Sequence, residues 1–238
     1  MGAPPVQEGV RDGLAYSLFL PVGDPVAGLV IVHGAGSRKE NHHDFAEAAR
    51  AAGFAAVCFD QRGHGASEGA LDGRVLEDVA TVAGVLPEGP VAVRGSSLGG
   101  YVAILAAERM GAFAAVAVCP ASAAQLARGL RRGDYGFRAD VPALEAFLAA
   151  HELEPRVARS PVPLLLLHAE GDEQVPVAHS IALAAASPAP GTELVVVPDG
   201  HHRSVQHDPE LQARALAWLQ ARWRAGGRRV DSADSGRV

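Results

Sequence analysis

The chain has 238 residues, 48% hydrophobic and 20% charged, which supplies a sizeable core and leaves general disorder as a poor reading. A formal net charge of −6 gives no basic footprint, so nucleic acid is not an expected partner. The longest apolar runs, such as Leu164 to Leu167, are strand-sized, and no membrane span is expected. The start, Met1 to Pro5, lacks the basic and apolar pattern of a secretory leader. Cys58 and Cys119 each sit in an apolar run and read as buried free thiols. A cytoplasmic location is the resulting expectation.

Taken in chain order, β-branched apolar runs alternate with Ala-rich segments of helical period, which is the pattern of a parallel sheet covered by helices. The first twenty residues hold one or two strands in an antiparallel edge arrangement. Leu29 to His33 reads as a buried strand stopped by Gly34 and Gly36. Asn41 to Arg50 reads as a helix with Asn41 as its N-cap. Phe54 to Phe59 is the next strand, followed by a Gly/Ser-rich loop from Gln61 to Gly69. Arg74 to Leu86 is helical, Pro90 to Arg94 a strand, Leu98 to Arg109 a helix, and Ala112 to Cys119 a strand.

Val162 to His168, written almost wholly in Val and Leu, is another strand of the kind covered on both faces. Ile181 to Ala186 fits a helix, Glu193 to Val197 a last strand, and Pro209 to Arg224 a last helix. Residues 121–160 are too many for a plain crossover. With helical stretches around Ala123 to Leu130 and Ala143 to Leu153, they are expected to form a small lid. The organisation expected is one domain over 1–224, with 225–238 a disordered tail.

The chemistry concentrates at Gly95-Ser96-Ser97-Leu98-Gly99, a G-x-S-x-G set between a strand and a helix. A serine on a tight strand-to-helix turn is lifted above the sheet, and the helix start behind it favours developing negative charge. The spacing selects Ser97 over Ser96. A serine needs a base and the base an orienting acid. Asp172, after a glycine turn in the loop following Val162 to His168, is the acid, with Glu170 and Glu173 as alternatives. The loop after Val197 reads Pro198-Asp199-Gly200-His201-His202-Arg203, and its base is His202, with adjacent His201 the alternative. Oxyanion donors are expected from the backbone N–H groups of Leu98 and of Ala35, with Gly36 second to Ala35. His42 and His43 lack the ligand spacing of a metal site, so no metal is implied, and no cofactor is called for.

With these parts assembled, the chain resembles the α/β-hydrolase superfamily from about residue 10 to 224. Asp60-Gln61-Arg62-Gly63-His64-Gly65-Ala66-Ser67 adds to the likeness, being similar to a D-x-R-G-x-G-x-S loop found in many members. There the loop is structural, so the resemblance implies that Asp60 and Arg62 brace the neighbouring loops. The loop His33 to Gly36 and the small lid look like the monoacylglycerol-lipase, serine-aminopeptidase and dienelactone-hydrolase-like groups. That resemblance supports His202 over His201. It also implies an α/β-hydrolase fold, a mostly parallel sheet flanked by helices on both faces, and acyl hydrolysis of a modest substrate.

The expected function is hydrolysis of a small carboxylic ester through an acyl-enzyme on Ser97. Amide, thioester or carbon–carbon hydrolysis with the same residues is the alternative, and a non-catalytic binding protein on this scaffold the third. Arg128, Arg131, Arg132 and Arg138 cluster in the lid near Tyr135, Phe137 and Phe147. They form either a solvated basic surface or, with Arg131 taken as the first to test, a contact for an anionic group on the substrate.

Overall fold

The computed structural model describes residues 4–234, with side chains described to residue 225. Eight strands form one open sheet in the order β1-β2-β4-β3-β5-β6-β7-β8. They are β1 (Gln7–Arg11), β2 (Leu14–Phe19), β3 (Gly28–Val32), β4 (Ala55–Phe59), β5 (Val91–Ser96), β6 (Ala114–Val118), β7 (Leu164–Ala169) and β8 (Glu193–Val197). The first two are the antiparallel edge, and all pairings from β4 to β8 are parallel. The helices are α1 (His43–Ala51), α2 (Val75–Ala83), α3 (Leu98–Met110), α4 (Ala123–Arg132), α5 (Val141–Ala150), α6 (Leu153–Val157), α7 (Val177–Ala186) and α8 (Pro209–Asp234).

The apolar runs of the strands are continuous because both faces are covered. Along β3, Val30 and Val32 point into the core built by α2, α3 and α7, whereas Leu29 and Ile31 point into the core built by α1 and α8. The period of two distributes one strand's side chains between two separate cores. The order β4-β3-β5 makes β3 the strand where the chain reverses its direction of winding. A crevice opens beyond the carboxyl ends of strands at such a point.

Asn41 does not cap α1. It lies inside a 3-10 turn (Lys39–His42), the N-cap is His42, and the Asn41 amide donates to Ser37 Oγ at 3.0 Å instead. The turn is held from outside the helix, where the Asp60 carboxylate accepts the Lys39 N–H at 2.8 Å. By contrast α4 carries a full capping box, Ser122 with Gln125, and closes on Gly133 at φ 70°. The last helix continues to Asp234, past residue 225 where a disordered tail was expected. Propagating a helix that packing has already nucleated costs little per residue. Residues 235–238 lie outside the described residues. No helix among the described residues is long and apolar enough to cross a membrane.

Candidate active site

Ser97 follows β5 directly and caps α3 with φ 54° and ψ −118°, a left-handed backbone that a side-chain-bearing residue adopts only when its surroundings hold it there. Three backbone bonds do so: Ser97 N–H to Val118 O at 2.9 Å, and Ser97 O accepting from Tyr101 and Ala121 at 3.0 and 3.1 Å. The flanking glycines are there because backbone occupies the space their side chains would need. A Cβ on Gly95 would run into the Gly99 carbonyl, and one on Gly99 into the carbonyls of Val32 and His33. The start of α3 is thereby pressed against the ends of β3 and β5.

Asp172 sits in the loop after β7 with its side chain 0% exposed. Its Oδ1 accepts the N–H groups of Gln174 and Val175, each at 2.8 Å. Its Oδ2 accepts from His202 Nδ1 at 2.7 Å and lies 3.4 Å from His168 Nε2. Burial by itself would raise the carboxyl, but these hydrogen bonds outweigh it and hold Asp172 well below the usual carboxylate range. Asp172 is therefore charged throughout the neutral range. His201 is exposed and its ring has no hydrogen-bond partner among the described residues, and Glu170 is exposed. Glu173 is exposed as well and accepts from the His202 backbone N–H at 3.3 Å and from the Gln174 amide at 3.4 Å, but not from the His202 ring.

The loop carrying His202 is tied back to the strand carrying Ser97. Arg94 on β5, buried under the sheet, donates to Gln206 O at 3.2 Å and lies 4.4 Å over the Phe45 ring. Burial lowers this guanidinium to about 10. His207, one residue further, bonds Asp44 on α1 at 2.8 Å. Ser97 and His202 line the same cleft, of about 760 Å³, together with Gly34, Ala35 and Gly36. Among the described residues Ser97 Oγ makes no hydrogen bond, and the two side chains share the cleft without one between them. Such bonds commonly tighten only when substrate is bound.

The loop after β3 distinguishes the donors. The Gly36 N–H is taken by His64 Nε2 at 3.1 Å, whereas the N–H groups of Ala35 and Leu98 donate to nothing else among the described residues. The loop passes close to the serine, with the position of a Gly34 Cβ 3.4 Å from Ser97 Cβ.

His33 and His64 hold this loop, and sequence reasoning missed both roles. His33 Nε2 accepts the Gln61 N–H at 3.0 Å, so its proton is on Nδ1, which donates to Gly34 O at 2.8 Å. The Gln61 amide in turn donates to His33 O at 2.7 Å. His64 packs edge-on against His33 and stacks on Phe137 at 4.3 Å. The signal available was a histidine ending an apolar strand, but nothing local says that its partner is 28 residues away. Asp60 braces this region as expected, accepting from the N–H groups of Lys39 and Ala66. Arg62 pairs with Asp78 on α2 at 3.0 Å.

Cys119, at φ 43° and buried, places its sulfur near Asp172 and His202, the three ligand atoms lying within 4.8 Å of one another. This cluster reads as a packed acid–histidine pair rather than a metal cage. Both Asp172 oxygens are already filled, and burial pushes the Cys119 thiol up, away from thiolate.

Desolvation, with His64 adding repulsion, lowers His33 from 6.5 to about 3. The unfolded chain therefore takes up a proton near pH 6.5 that the folded one refuses. The stability is fully present above that value and is lost as pH falls toward 3. This one group should remove about 2 kcal/mol between pH 7.5 and 5. Urea midpoints measured across that range should fall on acidification, and less steeply in His33→Asn. An equal slope in the variant would count against the buried neutral imidazole.

An open, mostly parallel sheet with a strained serine after its fifth strand, and an acid and a histidine after its last two, is the framework of an α/β hydrolase. The model of the family described as serine aminopeptidase, S33 matches residues 23–136, and the chain has the α/β-hydrolase fold. Its fold is similar to that of a monoacylglycerol lipase from Paleococcus ferrophilus, at 21% identity and a TM-score of 0.73 over 88% of this chain and 99% of that one. It is similar also to Est1E from Butyrivibrio proteoclasticus, solved with ferulic acid, at 23% identity and 0.68 over 92% and 99%. A carboxyl esterase from Bacillus coagulans shares 14% identity at a TM-score of 0.74 over 94% and 100%. No curated protein sequence matches the chain significantly.

Proposed function

We propose that this chain is a serine hydrolase that cleaves small carboxylic esters, with Ser97 as nucleophile, His202 as base and Asp172 as the acid that orients it. The observation that carries the reading is the 2.7 Å Asp172–His202 hydrogen bond in the same cleft as a serine held in left-handed backbone. The lipase and esterase names of the structural neighbours support the substrate class.

The bond to Asp172 keeps the His202 proton on Nδ1 and leaves Nε2 free to accept. His202 Nε2 takes the Ser97 proton as Oγ attacks the ester carbonyl. The oxyanion of the tetrahedral intermediate receives the N–H groups of Ala35 and Leu98. His202 then gives its proton to the departing alcohol, and water, activated by the same imidazole, releases the acid from the acyl-enzyme. This chemistry asks for no cofactor. In this reading α4, α5 and α6 act as a small lid of one catalytic domain over 1–224, and the two buried thiols suit a cytoplasmic setting. The serine aminopeptidase description of the matching family favours amide hydrolysis as a second reading. Rates on matched butyryl ester and butyryl amide substrates rank the two.

The test is covalent. A fluorophosphonate probe should label the wild-type protein at one site, found on Ser97 by peptide mapping, and p-nitrophenyl butyrate should be turned over. Ser97→Ala should abolish both while the protein stays folded. Labelling or turnover retained in that variant would overturn the assignment.

A further inference from the structure

We infer that the cleft selects esters carrying an anionic oxygen group, a carboxylate or a phosphate, held between Arg128 and Arg132 of α4 and Arg203 of the histidine loop. The inference deepens the ester-hydrolase reading and rests on it for the chemistry, but not for the binding.

The chain as a whole is acidic, with a formal charge of −6. Its cleft is the reverse: three arginines line it against the single carboxylate of Asp134. Two other arginines are tied to acids. Arg131 bonds Glu145 on α5 at 2.9 Å, and Arg62 bonds Asp78. Arg128, Arg132 and Arg203 have no carboxylate or ring partner among the described residues.

Arg128 and Arg132 are one helical turn apart and therefore share the face of α4 that borders the cleft. Arg203 comes from the other wall, directly after His202. A group bound between them lies beside the reacting carbonyl. Guanidinium forks match the geometry of carboxylate and phosphate oxygens. Val118, Leu126 and Tyr135 supply apolar wall for the hydrocarbon that carries the charge. Arg131, the residue singled out by sequence, is excluded because its charge is spent on Glu145.

Three substrates with one leaving group test this at low ionic strength: p-nitrophenyl butyrate, mono-p-nitrophenyl glutarate and p-nitrophenyl 3-phosphonopropanoate. The quantity read is kcat/KM for each anionic ester over that for the neutral one. In the Arg128→Gln/Arg132→Gln double variant this ratio should fall about tenfold for the preferred anion, the loss of roughly one charge-assisted contact. Arg203→Gln should lower it in the same direction, and Arg131→Gln should leave it at the wild-type value. Whichever anion shows the larger wild-type ratio identifies the group. Equal ratios in wild type and the double variant would overturn the inference.

Binding decides it without catalysis. In Ser97→Ala protein, calorimetric titration should show 4-nitrobenzoate binding at least fivefold tighter than 4-nitrobenzamide, a preference erased by the added double substitution. If no ester is turned over but this preference holds, the ester reading fails and the anion site stands. Equal affinities for acid and amide would remove the site whatever the enzyme hydrolyses.

Discussion

On the proposed mechanism, Asp172→Asn should reduce kcat for a short ester by about 10⁴-fold, the size of effect seen when a triad aspartate is made an amide in serine hydrolases. The geometry says why the change is severe here. Oδ1 accepts two backbone N–H groups, from Gln174 and Val175. An asparagine must keep its carbonyl oxygen there or leave both donors unsatisfied in a buried site. Its NH₂ then occupies the Oδ2 position, facing His202 Nδ1. A donor facing Nδ1 forces the imidazole proton onto Nε2, the atom that in the proposed mechanism accepts from Ser97. The NH₂ also faces His168, whose Nε2 donates to Val175 O at 2.9 Å. Steady-state rates on p-nitrophenyl butyrate, with circular dichroism to establish the fold, check this. A loss smaller than about tenfold would mean that Asp172 is not the orienting acid.

Gly99→Ala should destabilise the protein by about 3 kcal/mol or more, or prevent soluble expression. The added methyl meets two backbone carbonyls at the end of β3, and backbone in the centre of a sheet has nowhere to go. The helix would have to lift off, taking with it the turn that holds Ser97. Gly36→Ala is the comparator. Gly36 has φ 65° but open space around its Cβ, so its cost is conformational only, on the order of 1 kcal/mol. Urea denaturation of both variants separates strain from collision. A Gly99→Ala protein as stable as Gly36→Ala would refute the close approach of α3 to β3.

The alternation of apolar runs with helical segments was readable because the central strands bury both faces, which writes the 29–32 stretch of β3 and the 164–167 stretch of β7 in Val, Leu and Ile alone. The serine turn was readable because the fold demands glycine on both sides of it. Boundaries were less so. Asn41 has the chemistry of a cap, but the tertiary bond from Asp60 to Lys39 winds a 3-10 turn through it and moves the start of α1 to His43. The arginines of the insertion show the same limit. Their helical spacing could be counted, yet Arg131 is neutralised by Glu145 only because α5 packs beside α4.

By itself the sequence determined the fold class, the serine turn and the loops holding an acid and a histidine, because these follow from local patterns of burial and backbone freedom. Tertiary structure decided which members of each pair are engaged. Between adjacent histidines, His202 is the one that reaches Asp172. Between adjacent N–H groups, that of Gly36 is consumed by His64 and that of Ala35 is left free among the described residues, whereas the His202 ring is engaged. Between neighbouring arginines, Arg128 and Arg132 reach the cleft and Arg131 does not. Each choice depends on a hydrogen bond or a packed wall supplied from a distant part of the chain, and no local pattern encodes it.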